Sequence, residues 1–299
     1  MTSGPGIVDA HHHVWDLAVR DQPWIESPSM AAIRRSFCVD DLRPSAQAAG
    51  VTATVMVQTV TEAAETPEML ALAAADPLVA GVVGWTDLTS PAVAAELARL
   101  AACPGGRHLV GIRHQVQSEP DPGWLRRPDV IRGLRAVAAA GLCYDLVVRP
   151  HQIPAATYAA AQVPGLTLIL DHAGKPPIGS GPLDPWRAAL RAFAGQPNTA
   201  CKLSGLVTEA PPGAPSGAFS PVADVVVEAF GPQRVMFGSD WPVCLLAQDY
   251  PGVVELAQLL TAGLSDAERT AVFSTTAARL YGIGVPGQGA DGDQGSGDG

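Results

Sequence analysis

Three consecutive histidines follow an apolar run near the start of the chain. Residues 7–16 read Ile-Val-Asp-Ala-His-His-His-Val-Trp-Asp. Side chains alternate between the two faces of a β-strand, so a strand here would place His11 and His13 on the same face as Asp9 and His12 on the other. Two imidazoles on one face can bind one metal ion or one polarised substrate atom. The segment therefore predicts either a metal site or direct activation of a substrate.

Two further apolar runs end in residues suited to the same chemistry. His172 lies in Leu-Asp-His-Ala-Gly-Lys-Pro-Pro, and Asp240 lies in Gly-Ser-Asp-Trp-Pro. Six of the seven histidines, all but His108, lie at or just past the end of a predicted strand. An imidazole can bind a metal ion or donate a hydrogen bond, and a carboxylate can accept a proton from water. His172 and Asp240 therefore join His11 and His13 as the main site candidates.

The elements that must position these residues alternate along the chain between β-rich runs and helical stretches rich in alanine and leucine. The predicted strands cover residues 7–10, 54–58, 80–85, 109–113, 142–148, 166–171, 199–204 and 234–238. The predicted helices include residues 67–75, 91–102, 128–140 and 184–194. Eight such alternations are typical of an α/β fold of the (β/α)8 TIM-barrel type. An open doubly wound sheet is the alternative, although no Gly-x-Gly-x-x-Gly motif follows the first strand.

A closed barrel brings the carboxyl ends of all its strands to one face, where the active sites of such barrels lie. The four candidates are therefore expected to converge there. Arg113 and Lys202, on the fourth and seventh strands, could join the site or form structural ion pairs beneath it. His12 is expected to pack away from the site. The segment 16–37 is too long for a simple connection and is predicted to cover one mouth of the barrel.

Composition limits the class of protein. The chain has 299 residues, 47% of them hydrophobic, and a net charge of -10, which disfavours nucleic acid as a partner. Five widely spaced cysteines without a Cys-x-x-Cys pair indicate reduced thiols and a cytoplasmic protein. No signal peptide or membrane span is expected, and a homo-oligomer is possible. Residues 1–283 are predicted to form one catalytic barrel domain, and 284–299 a disordered acidic, glycine-rich tail.

Three motifs carry a resemblance to a known family. They are Asp-Ala-His-His-His-Val-Trp-Asp after the first strand, Asp-His-Ala-Gly-Lys-Pro after the sixth and Phe-Gly-Ser-Asp-Trp-Pro after the eighth. Together they resemble the amidohydrolase superfamily, whose fold is a distorted (β/α)8 barrel. Gly-Ile-Arg-His-Gln-Val-Gln-Ser-Glu-Pro-Asp and Tyr-Asp-Leu-Val-Val-Arg-Pro resemble its sugar-lactonase branch, which includes L-fuconolactonase-like and L-rhamnonolactonase-like enzymes and is related to 2-pyrone-4,6-dicarboxylate lactonase. The resemblance runs from Ile7 to Ile283.

The resemblance implies a hydrolase of carbohydrate catabolism that opens a sugar-acid lactone by attack of water. Asp240 would be the general base, assisted by the catalytic residues His172 and Arg113. The implied metal ligands are His11, His13, His172 and Asp240. The residues expected to contact the small-molecule substrate are Trp15, Gln58, His114, Arg149, Lys175, Lys202 and Trp241. Trp85 is a further candidate to stack on the sugar ring.

One departure from the wider superfamily concerns the metal. Members with two metal ions carry a bridging lysine or glutamate at the end of the fourth strand, where this chain has Arg113 and His114. An arginine cannot bridge two cations, so one divalent ion such as Zn²⁺, or none, is expected. A strained ester ring opens readily, and its hydrolysis does not require strong activation by a metal.

Two other functions remain open from the sequence. The same scaffold and a similar set of histidines and aspartate support non-oxidative decarboxylation of an aromatic or keto acid, a lyase reaction that requires Zn²⁺. A barrel that binds a small molecule without turning it over is the third interpretation. The complete set of His11, His13, His172 and Asp240 argues against loss of activity.

Overall fold

Eight parallel strands form one sheet in chain order, with each strand paired to the next. The structure is a computed structural model that describes residues 6–284. The strands are β1 (Ile7–His12), β2 (Val51–Val57), β3 (Val79–Gly84), β4 (Leu109–His114), β5 (Cys143–Leu146), β6 (Leu168–Leu170), β7 (Thr199–Leu203) and β8 (Val235–Phe237). Nearly all of the predicted tail, residues 285–299, lies outside the described residues.

The sheet closes on itself just beyond the end of β8. The backbone N–H of Asp240 donates to the carbonyl of His11 at 2.8 Å, and the N–H of His13 donates to the carbonyl of Trp241 at 2.7 Å. These bonds join the first strand to the residues that follow the last one. The predicted (β/α)8 barrel is confirmed, and its closure draws Asp240 directly beside the histidines of β1.

Seven helices of the described chain connect successive strands around the barrel, and three more follow β8. They are α1 (Val39–Ala48), α2 (Glu65–Ala75), α3 (Val93–Ala102), α4 (Pro128–Ala139), α5 (Ile153–Gln162), α6 (Asp184–Ala194), α7 (Ser220–Phe230), α8 (Tyr250–Leu260), α9 (Asp266–Thr270) and α10 (Thr276–Tyr281). Within residues 6–284, no helix is long and apolar enough to cross a membrane. All five cysteines are free thiols.

The hydrophobic core has two layers. Small and branched residues from the inward faces of the strands, such as Val8, Ala10, Val55 and Ile169, fill the barrel itself. A larger cluster packs the outward faces of the strands against the helices. Burial of this apolar surface is the main favourable contribution to folding and fixes the strands that carry the site residues.

A register shift in β1 corrects one expectation about the opening segment. Asp9 pairs with Thr54, whereas His12 pairs with Met56, so three steps along β1 match two along β2. This bulge interrupts the alternation of faces. As a result, Asp9 does not face the same way as His11 and His13, and its carboxylate accepts a hydrogen bond from Tyr250 of the outer helix α8 at 3.0 Å. His12 also lies on the outer side, as expected, with Nε2 2.9 Å from Thr54 Oγ1.

The long segment 16–37 lies over the mouth of the barrel. It contains two short 3-10 turns, Pro23–Ile25 and Pro28–Ile33, and little other regular structure. Arg20 binds Glu62 and Glu68 at 2.9 and 3.0 Å, which ties the segment to α2 and the loop before it. The segment contributes Trp24, among others, to the wall of the cavity described next.

Candidate active site

Four side chains converge at the carboxyl ends of the strands, below a cavity of about 460 Å³. His13, His172 and Asp240 line the cavity, and His11 is fully buried beside them. The Nε2 atoms of His11 and His13 lie 3.2 Å apart. Asp240 Oδ1 lies 3.4 Å from His13 Nε2, 3.7 Å from His11 Nε2 and 3.9 Å from His172 Nε2. The structure therefore brings together the imidazoles and the carboxylate that the sequence placed on three different strands.

Hydrogen bonds on the far side of each ring orient two of the imidazoles. His13 Nδ1 lies 2.7 Å from the carbonyl of Val57, which can only accept, so Nδ1 carries a proton and Nε2 is directed at the site. His172 Nδ1 lies 3.0 Å from Ser204 Oγ. Burial lowers the pKa of His172, although the charge of Asp240 opposes this shift. The Nε2 atoms of both rings are thereby directed toward Asp240.

Asp240 is buried yet remains ionised. Burial alone would raise the pKa of its carboxyl, but the charge of His172, a hydrogen bond from His13 and the charge of His11 outweigh burial and hold it well below the usual range. Asp240 also has a φ of 58°, in the left-handed region that residues other than glycine rarely occupy. A carboxylate is thus held ready to accept a proton in a site mostly closed to water.

The loop after β6 adopts an unusual backbone conformation. His172, Ala173, Gly174 and Lys175 all have positive φ, between 51° and 69°. Left-handed residues normally occur singly, because each one costs roughly 1–2 kcal/mol unless it is glycine. Trp186 Nε1 donates to the carbonyl of Ala173 at 2.7 Å and helps to hold the turn. The turn aims His172 and Lys175 into the cavity.

Two pairs of opposite charges lie directly beneath the histidines. Arg113 donates to Asp171 Oδ2 at 3.0 Å, and Lys202 Nζ lies 3.1 Å from Asp171 Oδ1 and 2.5 Å from Asp145 Oδ2. Burial would raise the pKa of Asp171, but the charges of Lys202, His11 and Arg113 hold it well below the usual range. Arg113 also lies 3.4 Å from His11 Nε2 and lines the cavity. Lys202 itself is fully buried.

The donor set of His11, His13 and Asp240 fits one divalent ion. The ligand atoms of a tetrahedral zinc site lie about 3.3 Å apart, because each bond to nitrogen or oxygen is about 2.0–2.1 Å long. The three observed separations, 3.2, 3.4 and 3.7 Å, are close to that value. Nitrogen lone pairs and a carboxylate are the ligands that zinc prefers. His172 lies slightly farther away and could complete the set.

Of the seven residues expected to contact the substrate, only Lys175 lines the cavity. Gln58 and Lys202 are fully buried beneath it, where Gln58 accepts hydrogen bonds from Arg113. Trp15 and Trp241 are buried in an aromatic cluster around Phe37. The expected contact with the substrate is therefore not supported at these four positions. Packing engages the two tryptophans, and polar partners within the protein engage Gln58 and Lys202.

His114, Arg149 and Trp85 also lie away from the cavity. His114 stacks on Trp124 at 4.4 Å, accepts a hydrogen bond from Trp85 Nε1 at 3.0 Å, and lies 2.7 Å from Glu119 through its other nitrogen. Both ring nitrogens of His114 are therefore engaged. Arg149 is exposed, and its Nε donates to the carbonyl of Gln117 at 3.3 Å. None of these three side chains lines the cavity.

The structure adds cavity residues that sequence reasoning missed. Glu209, in the loop after β7, accepts a hydrogen bond from Lys175 Nζ at 2.7 Å, and both line the cavity. Trp24 forms part of the wall, and Thr59 and Gln117 reach it from the loops after β2 and β4. The position of Thr59, one residue past the predicted second strand, was the one available signal in the sequence. The others lie in loops without periodicity.

A family model for proteins described as amidohydrolases matches residues 8–283, nearly all of the described chain. The chain belongs to the amidohydrolase family. The resemblance inferred from the three motifs is thus confirmed, and the protein is an enzyme of the hydrolase class.

Two amidohydrolases show the extent of the similarity. The L-fucono-1,5-lactonase of Burkholderia multivorans is 38% identical over 291 residues, which cover 93% of this chain and 97% of that protein. A crystal structure of an amidohydrolase from Burkholderia multivorans with bound zinc is 39% identical, has a TM-score of 0.87, and is matched over 93% of this chain and 99% of its own.

A more distant protein of known structure shares the fold. A probable 2-pyrone-4,6-dicarboxylic acid hydrolase from Acinetobacter baumannii, with citric acid bound, has a TM-score of 0.77 at 18% identity. The match covers 93% of this chain and 100% of that one. At this identity the comparison supports the barrel architecture alone.

Proposed function

We propose that this amidohydrolase opens a sugar-acid lactone by attack of water, with Asp240 as the general base. The observation that carries the proposal is the position of Asp240 Oδ1, 3.4–3.9 Å from three imidazole nitrogens at the floor of the cavity. The relative named L-fucono-1,5-lactonase, similar along almost its whole length, supports a lactone as the substrate. Hydrolysis of a lactone requires an activated water, a polarised carbonyl and stabilisation of the oxyanion.

The chain's own side chains account for each requirement. Asp240 is ionised and lies at the floor of the cavity, where it accepts the proton that the attacking water loses. Arg113 lines the cavity, and its Nη1, 3.4 Å from His11 Nε2, can donate to the oxyanion. His172, which also lines the cavity, can donate through Nε2. Lys175, paired with Glu209 at the rim, is placed to bind hydroxyl groups of the sugar. Segment 16–37 excludes water from above.

We further propose that one divalent ion is bound by His11, His13 and Asp240, with His172 nearby. When bound, such an ion would acidify water and polarise the carbonyl. The bound zinc of the related crystal structure supports this assignment. A second ion is disfavoured, because the Arg113 guanidinium occupies the end of β4 and is paired there with Asp171 and Gln58. Elemental analysis is expected to give at most one ion per chain, and two tightly bound ions would contradict the role of Arg113.

A screen of aldonolactones with a pH indicator tests the proposed reaction. L-Fucono-1,5-lactone heads the panel because of the named relative, and each lactone is assayed with and without a chelator. The expected result is acid release by the wild-type enzyme, reduced by the chelator and restored by Zn²⁺. An aromatic acid assayed in parallel for release of carbon dioxide tests the lyase alternative. Turnover of that acid with no lactone hydrolysed would overturn the proposal.

A further inference from the structure

Trp24 forms an aromatic wall of the catalytic cavity. It lies in segment 16–37, is half-buried and lines the cavity together with His13, His172 and Asp240. Of the tryptophans within residues 6–284, it alone lines this space. Its position therefore differs from those of Trp15, Trp85 and Trp241, whose rings pack elsewhere.

The polar atom of Trp24 is already satisfied within the protein. Its indole N–H donates to Gln22 Oε1 at 2.8 Å. What remains for a ligand is the apolar π surface of the ring, which suits the C–H face of a sugar ring rather than its hydroxyl groups. The contact that Trp24 can offer is therefore stacking.

A chain of buried hydrogen bonds fixes the orientation of Trp24. Gln22 Nε2 donates to Thr59 Oγ1 at 2.9 Å, and Thr59 Oγ1 in turn donates to Glu65 Oε1. Glu65, at the start of α2, also accepts from the backbone N–H groups of Thr59 and Val60 at 2.9 and 3.2 Å. Gln22, Thr59 and Glu65 are all buried. Segment 16–37 is thus anchored to α2 of the barrel.

The opposite side of Trp24 is held by aromatic packing. Its ring meets Trp15 edge to face at 5.5 Å, Trp15 meets Phe37 at 5.4 Å, and Phe37 meets Trp241 at 5.3 Å. Trp241 directly follows the catalytic Asp240. The wall and the general base therefore belong to one packed unit, in which a hydrogen bond and an edge-to-face contact leave the ring little freedom to rotate.

We infer that Trp24 is the platform on which the ring of the lactone stacks, and that Gln22, anchored through Thr59 to Glu65, is the positioning residue that sets the platform's orientation. The inference rests on the proposed lactone hydrolysis and adds a specificity determinant to it. Binding energy from stacking is the same before and in the transition state, so its loss raises KM and leaves kcat nearly unchanged.

Steady-state kinetics on a lactone that the wild-type enzyme hydrolyses test the platform. Trp24→Leu is expected to raise KM about fivefold with kcat within about threefold, since stacking on an aromatic ring contributes about 1 kcal/mol. Trp24→Phe retains a ring and should raise KM less. Trp85→Leu, the same exchange at a tryptophan outside the cavity, is the matched control and should leave KM unchanged.

A double-mutant cycle tests the positioning role of Gln22. Gln22→Met keeps the shape of the side chain but removes its amide, and it is expected to raise KM in the wild type. In the Trp24→Phe background it should have little further effect on KM, because phenylalanine has no N–H for Gln22 to bind. If Gln22 merely holds segment 16–37 to Thr59 in the loop after β2, Gln22→Met would raise KM equally in both backgrounds and would overturn the assignment.

The outcomes separate the two proposals. An unchanged KM in Trp24→Leu, or a fall in kcat alone, contradicts the stacking platform while lactone hydrolysis by the wild type stands. No turnover of any lactone by the wild-type enzyme contradicts the proposed function and the platform together.

Discussion

Asp240 owes its orientation to its own backbone, which is held from several sides. Its N–H donates to the carbonyl of His11, its carbonyl accepts from Cys244 at 2.9 Å, and the preceding Ser239 N–H donates to Asp9 Oδ1 at 2.8 Å. Left-handed backbone at a residue other than glycine persists only where the surroundings determine it. The carboxylate is therefore aimed at the imidazoles before any substrate arrives, which is what preorganised catalysis requires.

His12 shows the opposite use of an imidazole, as a neutral packing residue. Thr54 Oγ1 donates to the carbonyl of Leu78 at 3.1 Å and so accepts from His12 Nε2, which assigns the ring proton to Nε2. His12 Nδ1 is buried and has no hydrogen-bond partner among the described residues. Burial, and then the charge of His13, lower the pKa of His12 to about 3.

This low pKa predicts how stability depends on pH. Because the folded-state pKa of His12 lies below the ordinary value of about 6.5, its contribution to stability is fully present above pH 6.5 and is lost as the pH falls toward 3. Between pH 7 and 5 this group should cost the wild type about 2 kcal/mol of the free energy of unfolding. Urea unfolding of the wild type and of His12→Gln at the two pH values measures this contribution. The loss of unfolding free energy from pH 7 to pH 5 should be smaller in His12→Gln by about 2 kcal/mol. Equal losses in both proteins would contradict a neutral, buried His12.

The loop after β7 requires glycine at its second residue, Gly205. Gly205 has a φ of 61°, and a Cβ there would lie 2.5 Å from His172 Nδ1 and 3.0 Å from Asp240 Oδ2. The turn after β6, with its run of left-handed residues, faces this glycine and carries His172. The two loops therefore pack so closely that the site exists only without a side chain at position 205.

Gly205→Ala is expected to reduce kcat/KM at least about tenfold, because a side chain there displaces His172 and Asp240 by enough to lose the aligned geometry. Gly213→Ala is the matched control, since Gly213 has a φ of 75° and open space around it. Both variants pay a similar cost of about 1–2 kcal/mol for the left-handed conformation, visible as a lower melting temperature. A comparable loss of activity in the two would show that strain, rather than the clash, limits the enzyme.

The whole barrel is organised around balanced charge in its interior. Lys202 and Arg113 offset Asp145 and Asp171 beneath the site, and Tyr281, from the last described helix, donates to Asp145 at 2.8 Å from the bottom of the barrel. A buried charge without a partner costs several kcal/mol, so each member depends on the others. The network links the active-site end of the barrel to its base.

Removal of one member should therefore destabilise the fold. Lys202→Met is expected to lower the free energy of unfolding by about 3–5 kcal/mol, because it leaves Asp145 and Asp171 short of a positive charge in a buried site. Lys175→Met, which breaks a partly exposed pair with Glu209, should cost less than about 1 kcal/mol. Chemical denaturation of the two variants measures the contrast. A small effect at both positions would mean that the interior charges are neutralised by another route.

The sequence predicts the barrel and the central cluster because both follow from periodic patterns. His11, His13, His172 and Asp240 each follow an apolar strand, and parallel strands must end at one face. The wall of the cavity was not predictable in this way. Segment 16–37 has no period, so nothing in it distinguishes Trp24, which lines the cavity, from Trp15, which is buried. The bulge that turns Asp9 outward and the left-handed turn at His172 are likewise consequences of tertiary packing.

The role of Asp240 is tested most directly by comparing initial rates of lactone hydrolysis for the wild type and Asp240→Asn. The two proteins are matched in folded state by circular dichroism and in bound Zn²⁺ by elemental analysis. Loss of a general base lowers kcat by about 100- to 10,000-fold, and this is the predicted result. A folded Asp240→Asn enzyme that hydrolyses the lactone at a near wild-type rate would contradict the account.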